Sequence, residues 1–264
     1  MLAKAKSTRA KSPAKVAQRT IEGEVRTALA WLERHGSKRT RDEMEPRYGI
    51  RTDKAFGVSM ADMKTLAKQL GRNHELAGAL WDTGWYEARM LASMVDDPER
   101  VTPAQMDRWC RDFDNWGICD TVCFCLFDRS PHAFAKVVSW SRRRDEFQKR
   151  AAFALLACLA LHGRTADNAA YMRCLPLIEK AADDERNFVK KGANWALRAI
   201  GGRNPELNAA AVAVAQRLAA SAQPAARWIG KDALRQLARP AAARRVAAGG
   251  RVKRRTPSPP KSSP

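Results

Sequence analysis

Residues 187–205, NFVKKGANWALRAIGGRNP, contain the local pattern from which the fold class is predicted. Apolar residues in the first part of this stretch recur three and four positions apart, which is the spacing of one helix face. Gly201-Gly202 suits the end of that helix. Asn204-Pro205 suits the start of the next one, because the first turn does not need the donor that proline lacks. The stretch therefore predicts two helices joined by a short link.

The same signals recur along the chain. Further cap-proline starts occur at Thr102-Pro103 and Ser130-Pro131, and further glycine stops, of the kind suited to a left-handed C-cap, at Gly36, Gly71 and Gly163. They divide the chain into about a dozen helices of roughly 8 to 18 residues with short links. Runs of β-branched residues bounded by turn residues are missing. We therefore predict an all-α protein.

The predicted helices form pairs at a period of roughly 35 to 45 residues, which is typical of a HEAT-like solenoid. No residue motif repeats at that period, so the predicted repeat is one of architecture. Stacked helix pairs expose a curved face that suits a long ligand such as duplex DNA. The predicted fold is therefore a HEAT-like helical-repeat solenoid, an α-α superhelix.

Positive charge is concentrated at the two ends of the chain. The 264 residues contain 48 Lys and Arg against 28 Asp and Glu, a net charge of +20. Residues 1–20 hold six basic residues and residues 240–264 hold seven, with no acid in either, which leaves +7 on residues 21–239. Both ends have too little apolar surface to offset the entropy of ordering. We predict a basic disordered tail at 1–20, a helical-repeat domain at 21–239 and a basic Pro/Ser-rich disordered tail at 240–264.

This charge predicts a polyanionic partner, either nucleic acid or an anionic membrane surface. The longest apolar run, residues 151–161, is shorter than the roughly 20 residues of a membrane-spanning helix. A basic helix with the apolar face that binds a membrane surface is also missing. The first 20 residues lack the apolar region of a secretory signal, while their composition leaves an organelle transit peptide open. We expect a cytoplasmic, nucleoid-associated protein with no membrane contact.

The sequence restricts the chemical groups that an active site could use. The six cysteines lie mostly in apolar helical stretches, as reduced thiols do, and neither they nor the four histidines have the spacing of a zinc site. Phosphate-binding loops, dinucleotide fingerprints and the signatures of Ser-His-Asp or Cys-His catalysis are absent. We predict no metal and no cofactor, so an enzyme here would depend on carboxylate, indole and guanidinium groups.

Two groups of side chains are candidates for such chemistry. Trp116 and Asp120 are spaced at i and i+4, so on a helix an indole and a carboxylate share one face. The structural alternative is that Trp116 is core and Asp120 complements the helix dipole in the first turn. Lys191, Trp195 and Arg198 form a basic stripe with one large aromatic residue, for which the alternative is a solvated face with an incidental tryptophan.

Arg150 is a third candidate because it directly precedes the apolar run 151–161. A cation near a helix N-terminus opposes the helix dipole, so an acidic group is expected beside it. That group would be Asp145 or Glu146 in a local salt bridge, a phosphate, or the carboxylate of Asp120.

Several stretches together carry a family resemblance. In order along about 160 residues they are Tyr48 to Gly57, Leu80-Trp81-Asp82 with Glu87-Ala88-Arg89, Trp116-x-x-x-Asp120, Lys149-Arg150-Ala151-Ala152, Phe188-Val189-x-Lys191 through Trp195-x-Leu197-Arg198, and Asn204-Pro205. In these stretches the sequence resembles the AlkD-like DNA glycosylases, HEAT-like repeat proteins that excise alkylated bases. Gly117 and Cys119 depart from the more polar residues expected between Trp116 and Asp120.

The resemblance implies a role for each matching site residue. Asp120 would be the catalytic carboxylate, with Trp116 and Trp195 on the wall that packs against the lesion-bearing nucleotide. The DNA-binding residues would be those that contact phosphates or lie beside the same cleft, namely Arg150, Arg198, Lys191 and Tyr48. Proteins similar to this one leave the lesion stacked in the duplex, in contrast to glycosylases that extrude it.

These residues fit the chemistry of cationic bases. A purine alkylated at N3 or N7 carries a positive charge and leaves without a general acid, while a fixed carboxylate stabilises the oxocarbenium-like sugar and orients water. We therefore expect a monofunctional alkylpurine DNA glycosylase, acting as a monomer on double-stranded DNA that contains alkylated bases. The alternative is a non-catalytic HEAT-repeat scaffold that binds nucleic acid or protein.

Overall fold

A computed structural model describes residues 13–163 and 167–239. Within these ranges the chain forms fifteen α-helices and one 310 helix, and the same ranges contain no β-strand. The prediction of an all-α protein is therefore confirmed. The chain divides into two units, Met1–Val101 and Thr102–Pro264.

The first unit is a small helical cluster. Its helices are α1 (Pro13–His35), α2 (Lys38–Asp42), α3 (Met44–Tyr48), α4 (Met60–Leu70), α5 (His74–Asp82) and α6 (Tyr86–Val95). Helix α5 packs against α1 and α6 around the buried side chains of Leu32, Leu80 and Trp81. The buried carboxylate of Glu87 accepts hydrogen bonds from the backbone N–H groups of Phe56, Gly57 and Val58 at 2.9, 2.7 and 3.2 Å. These bonds fix the link between α3 and α4.

The second unit is built around one buried helix. Its helices are α7 (Pro103–Arg111), α8 (Trp116–Cys125), the 310 helix (Phe127–Arg129), α9 (Ala133–Trp140), α10 (Glu146–His162), α11 (Asn168–Met172), α12 (Leu175–Ala181), α13 (Asn187–Gly201), α14 (Pro205–Ala219) and α15 (Pro224–Leu237). Every residue of α10 from Arg150 to Ala160 is buried, and α8, α9 and α13 pack against it. The apolar run is thus an ordinary central helix, apolar around its whole circumference.

Helix α1 begins at Pro13, inside the stretch that we predict to be a tail ending at residue 20. Proline suits the first position of a helix, and the alanines, lysine, glutamine and arginine that follow it are good helix formers. The backbone of residues 13–20 therefore extends the amphipathic helix, and this part of the predicted boundary is wrong. Residues 1–12 and 240–264, to which the rest of the predicted tails belong, lie outside the described residues.

Most predicted helix ends are observed, with two physical corrections. Ser130-Pro131 does not start a helix, because α9 begins at Ala133, while the Ser130 hydroxyl accepts a hydrogen bond from the His132 N–H at 3.3 Å. Among the predicted glycine stops, only Gly71 has the positive φ of a left-handed residue, at 69°, whereas Gly36, Gly163, Gly201 and Gly202 do not. Gly163 is needed for space, since a Cβ there would lie 2.5 Å from the carbonyl oxygen of Leu159.

Two buried glycines at helix contacts are expected to differ in their tolerance of alanine. A Cβ on Gly192 of α13 would lie 3.5 Å from Cγ of Arg150, whereas a Cβ on Gly230 of α15 would lie 2.2 Å from the backbone nitrogen of Ala219. Gly192→Ala should raise the free energy of unfolding by up to about 1 kcal/mol, because alanine favours a helix. Gly230→Ala should lower it by about 1 to 3 kcal/mol, because α14 and α15 must separate. Urea unfolding of both variants checks the prediction, and effects of the same sign would contradict it.

Candidate functional site

Helix α8 presents Trp116 and Asp120 on one face. The Oδ1 atom of Asn115 caps the helix by accepting a hydrogen bond from the backbone N–H of Ile118 at 3.0 Å. Trp116 is then the first helical residue, and Asp120 follows one turn later. The first turn contains no acidic residue, so the alternative in which Asp120 complements the helix dipole there is wrong. Both side chains are half-buried.

Arg150 of α10 binds the carboxylate of Asp120 through two parallel hydrogen bonds. Its Nε donates to Oδ1 at 2.9 Å and its Nη2 donates to Oδ2 at 2.7 Å, the bidentate geometry that makes such pairs strong and directional. The Arg150 side chain is 8% exposed and that of Asp120 is 20% exposed. The arginine is therefore an internal support, and the carboxylate is the member of the pair that solvent can reach.

The ionisation of Asp120 is set by two opposing effects. Burial raises the pKa of its carboxyl group, and the charge and hydrogen bonds of Arg150 act in the opposite direction. The balance leaves the pKa above the ordinary aspartate value. Desolvation thus makes the ionised carboxylate more basic and less well solvated than one on an open surface.

Arg150 also fixes the start of α13. Its Nη1 donates to the carbonyl oxygen of Phe188 at 2.8 Å, and its guanidinium carbon lies 5.9 Å from the centre of the Phe188 ring. One turn further along α13, Gly192 packs against the same arginine. Phe188 is a residue of the site that was not predicted, although its spacing of seven residues from Trp195 places both on one helix face.

The local acids near Arg150 have other partners. Asp145 caps α10 by accepting hydrogen bonds from the N–H groups of Phe147 and Gln148, both at 3.0 Å. Glu146 accepts a hydrogen bond from the backbone N–H of Phe188 at 3.1 Å. Of the groups that the sequence offered as partners for Arg150, the structure selects Asp120.

Helix α13 carries Trp195 beside a row of polar side chains. Trp195 is half-buried, on a helix that packs against α10 as α8 does. Nε of Arg198 donates to Oδ1 of Asn194 at 2.7 Å, and Nδ2 of Asn194 donates to Oδ2 of Asp232 at 2.8 Å. The two tryptophans thus lie on the two helices that flank the helix holding Asp120 in place.

The sequence of this chain matches a family profile described as DNA alkylation repair enzyme, over residues 28–237. The match covers most of the chain and includes all three helices of the site. The chain belongs to the DNA alkylation repair enzyme family. Its role is therefore in DNA repair.

Solved structures support the fold of this DNA alkylation repair protein. One, described as a new family of proteins related to the HEAT-like repeat DNA glycosylases with affinity for branched DNA structures, is 22% identical, with a TM-score of 0.68. The alignment covers 80% of this chain and 94% of that one. The predicted HEAT-like helical-repeat fold is confirmed.

The other solved structures and the curated proteins give no further support for the fold or the function. Two designed armadillo repeat proteins align at 15% and 16% identity, over 88% and 83% of this chain and 82% and 94% of theirs. Their TM-scores of 0.30 and 0.36 are too low to support an argument. No curated protein matches the sequence significantly.

The predicted DNA-binding residues of the repair protein differ in their surroundings. Lys191 is exposed on α13, while Arg198 is half-buried and bonded to Asn194. Tyr48 belongs to the other unit, at the end of α3, where it is 44% exposed with the Arg47 guanidinium 5.2 Å from its ring centre. Arg150 is buried, and three of its nitrogens bond to Asp120 and Phe188. The geometry makes it a support for Asp120, and its contact with a phosphate stays a prediction.

The departures from the family pattern around Asp120 have a packing explanation. Gly117 and Cys119 are buried, and the thiol of Cys119 donates a weak hydrogen bond of 3.8 Å to the carbonyl oxygen of Phe147 on α10. Burial raises the pKa of the neighbouring Cys123 thiol, which keeps it protonated. These positions are small and apolar because α8 and α10 meet there.

Two further kinds of feature are missing from the part of the chain that the structure describes. Residues 13–163 and 167–239 contain no group of three or more His, Cys, Asp or Glu side chains placed to hold a metal ion. In the same ranges, none of the helices has the length and apolar character needed to cross a membrane.

Proposed function

We propose that this protein is a monofunctional DNA glycosylase that hydrolyses the N-glycosidic bond of cationic purines alkylated at N3 or N7 in duplex DNA. The main support for this proposal is the partly exposed carboxylate of Asp120. Both of its oxygens accept hydrogen bonds from the buried guanidinium of Arg150. Trp116 lies on α8 with Asp120, Trp195 lies on α13, and both helices pack against α10, which carries Arg150.

The proposed reaction needs only the groups found at this site. The bond between the sugar C1′ and the alkylated base breaks, and its electron pair neutralises the positive charge of the base. The sugar then gains oxocarbenium character, which the negative charge of Asp120 stabilises. Water adds at C1′ and loses a proton to the carboxylate or to solvent, which leaves an abasic sugar.

The hydrogen bonds from Arg150 leave Asp120 able to stabilise the sugar cation. A carboxylate has about four acceptor positions, of which the two arginine bonds occupy one on each oxygen. The remaining positions and the 20% exposure of the side chain provide room for a sugar or a water molecule. The fixed orientation means that the charge need not reorganise during the reaction, which is where electrostatic catalysis gains its effect.

The tryptophans and the basic residues provide selectivity and binding in this proposal. Each indole face attracts a cationic nucleotide by about 0.5 to 2 kcal/mol, so neutral bases benefit less. Lys191, Arg198 and Tyr48 remain our candidates for DNA contacts, and the net charge of +20 favours any polyanion. The affinity for branched DNA of the structurally similar proteins supports DNA as the partner. We propose a cytoplasmic, nucleoid-associated monomer.

The direct test is mass spectrometry of the bases liberated from globally methylated duplex DNA. We expect methylated purines released at the N-glycosidic bond, with unmethylated duplex as the control. DNA that is bound and yields no free base would contradict the proposal.

That outcome would favour a second candidate, a non-catalytic DNA-binding member of the same fold. Two observations favour it: the described affinity of the structural relatives for branched DNA, and an ion pair in which Arg150 and Asp120 satisfy each other. Such a protein would bind methylated and unmethylated DNA equally, so that comparison separates the two candidates.

The proposed catalysis should have an acid limit, a pH below which base release declines, and this limit depends on Asp120. The reaction requires the ionised carboxylate, and burial raises the pKa of this group. As the pH falls through that raised pKa, the carboxyl gains a proton and loses its effect on the sugar cation. We therefore expect base release to decline at a higher pH than an exposed aspartate would give. Single-turnover rates between about pH 4 and about pH 8, corrected for spontaneous base loss, measure this. An enzymatic rate that stays constant down to the ordinary aspartate pKa would contradict it.

A further inference from the structure

Among the described residues of the second unit, Trp228 is the largest of the three large apolar side chains that remain exposed, the others being Phe124 and Val138. Trp228 on α15 is 41% exposed. Most other apolar positions of that helix are buried, including Ile229, Ala233 and Leu237, while Leu234 is half-buried. The core of this helix is therefore complete without the indole, which leaves the ring available to contact a partner.

The ammonium group of Lys190 on α13 lies over this ring, with Nζ 5.2 Å from the ring centre. Helices α13 and α15 pack side by side, so the contact joins the two helices at the surface. An exposed indole beside a cation matches the two parts of a nucleotide, because a base stacks on the ring and a phosphate pairs with the cation.

The surroundings of Trp228 are strongly basic. The exposed or half-buried cations on the two helices are Lys190, Lys191, Arg198, Arg227, Lys231 and Arg235. Helix α13 contains no acid, and α15 contains only Asp232. That carboxylate is already bonded to Asn194 and Arg235. The charge of this face therefore favours an anionic ligand.

The basic face extends to Trp195, one of the predicted site residues. On a helix of 3.6 residues per turn, Lys190, Arg198, Lys191 and Trp195 fall in this order within an arc of roughly 140°. Trp228 adjoins the Lys190 side of the arc, and Trp195 occupies the other side. DNA that contacts Trp195 can thus continue along α13 toward Trp228.

We propose that Trp228 and Lys190 form a second nucleotide-binding site, which stacks an unpaired base of a DNA strand whose phosphates contact the lysines of α13 and α15. In an intact duplex both faces of every internal base are covered by neighbours, so an indole can stack only where a gap, end or branch exposes one. The inference rests on the proposed function in taking DNA as the partner, and it is independent of the chemistry at Asp120. The chain's own residues 240–264 are a poor occupant, because they carry seven basic residues and no acid.

The test compares the affinities for two unmethylated DNAs, a blunt duplex and the same duplex with a short single-stranded gap. Trp228→Leu keeps an apolar side chain without a π face, and Trp228→Phe restores a ring. We expect Trp228→Leu to weaken binding of gapped DNA about tenfold and to change duplex binding less than about twofold, with Trp228→Phe in between. Lys190→Gln should also weaken binding of gapped DNA, compared with Lys180→Gln, which removes an exposed lysine from α12.

The outcomes separate this inference from the proposed function. An unchanged affinity of Trp228→Leu for gapped DNA, or an equal loss on both DNAs, would overturn the stacking site. Base release from intact methylated duplex is expected to be the same in Trp228→Leu and in the wild type. If the wild type releases no base but Trp228→Leu still loses its preference for gapped DNA, the glycosylase proposal fails and the second site stands.

Discussion

An Asp120→Asn variant is expected to release alkylated purines about 10² to 10³ times more slowly than the wild type, the loss that follows removal of a fixed group that stabilises transition-state charge. Asparagine keeps the shape of aspartate and removes its negative charge. The oxocarbenium-like sugar would then face a neutral amide beside the cationic Arg150, which is less favourable than the amide alone. Single-turnover rates on methylated duplex measure the effect.

The affinity for DNA separates catalysis from binding in this variant. Removal of a negative charge from a surface that meets phosphates should leave the affinity unchanged or slightly higher. A matched control is Asp107→Asn, since Asp107 accepts hydrogen bonds from Lys136 and Trp140 in a partly buried pair between α7 and α9. We expect this control to retain the wild-type rate. Full activity of Asp120→Asn would refute the assignment of Asp120.

The face that Trp116 and Asp120 share was predictable because it depends only on helix periodicity. The sequence also marked the start of α8 well enough to place both residues, since Asn115 is a strong capping residue. The partner of Arg150 was not predictable, because Asp145, Glu146 and Asp120 all satisfy its charge. The choice depends on Asp145 capping α10 and on the way α8 and α10 pack, which bring together residues 30 positions apart.

The burial of individual side chains is the other property that could not be predicted from the sequence. A surface cation and a buried one have the same side chain, so Arg150 was predicted to contact phosphate as Lys191 is. The difference arises from Gly192 and Phe188, through which α13 covers the arginine. Trp228 illustrates the reverse case, because a tryptophan within an apolar helical pattern is ordinarily core. Helix α15 meets α14 through Gly230, which leaves the indole of Trp228 at the surface.

An Arg150→Met variant is expected to lose about 3 kcal/mol of the free energy of unfolding, because removal of one member of a buried ion pair leaves the other charge uncompensated. The variant also leaves the Phe188 carbonyl oxygen without its arginine donor. Methionine fills much of the vacated volume, so the loss comes mainly from electrostatics. Urea unfolding at neutral pH measures it.

The double variant Asp120→Asn with Arg150→Met distinguishes this cause from lost packing. With both charges removed, most of the stability should return, since a buried pair replaced as a unit is often neutral in stability. If the stability losses of the two single variants simply add in the double variant, packing and not charge holds α8, α10 and α13 together. Arg150→Lys tests the positioning role, because lysine keeps the charge without the planar fork. Since Arg150 lowers the pKa of Asp120, the acid limit of base release should move to higher pH in Arg150→Met and less in Arg150→Lys. A purely structural arginine would leave that limit where it is in the wild type.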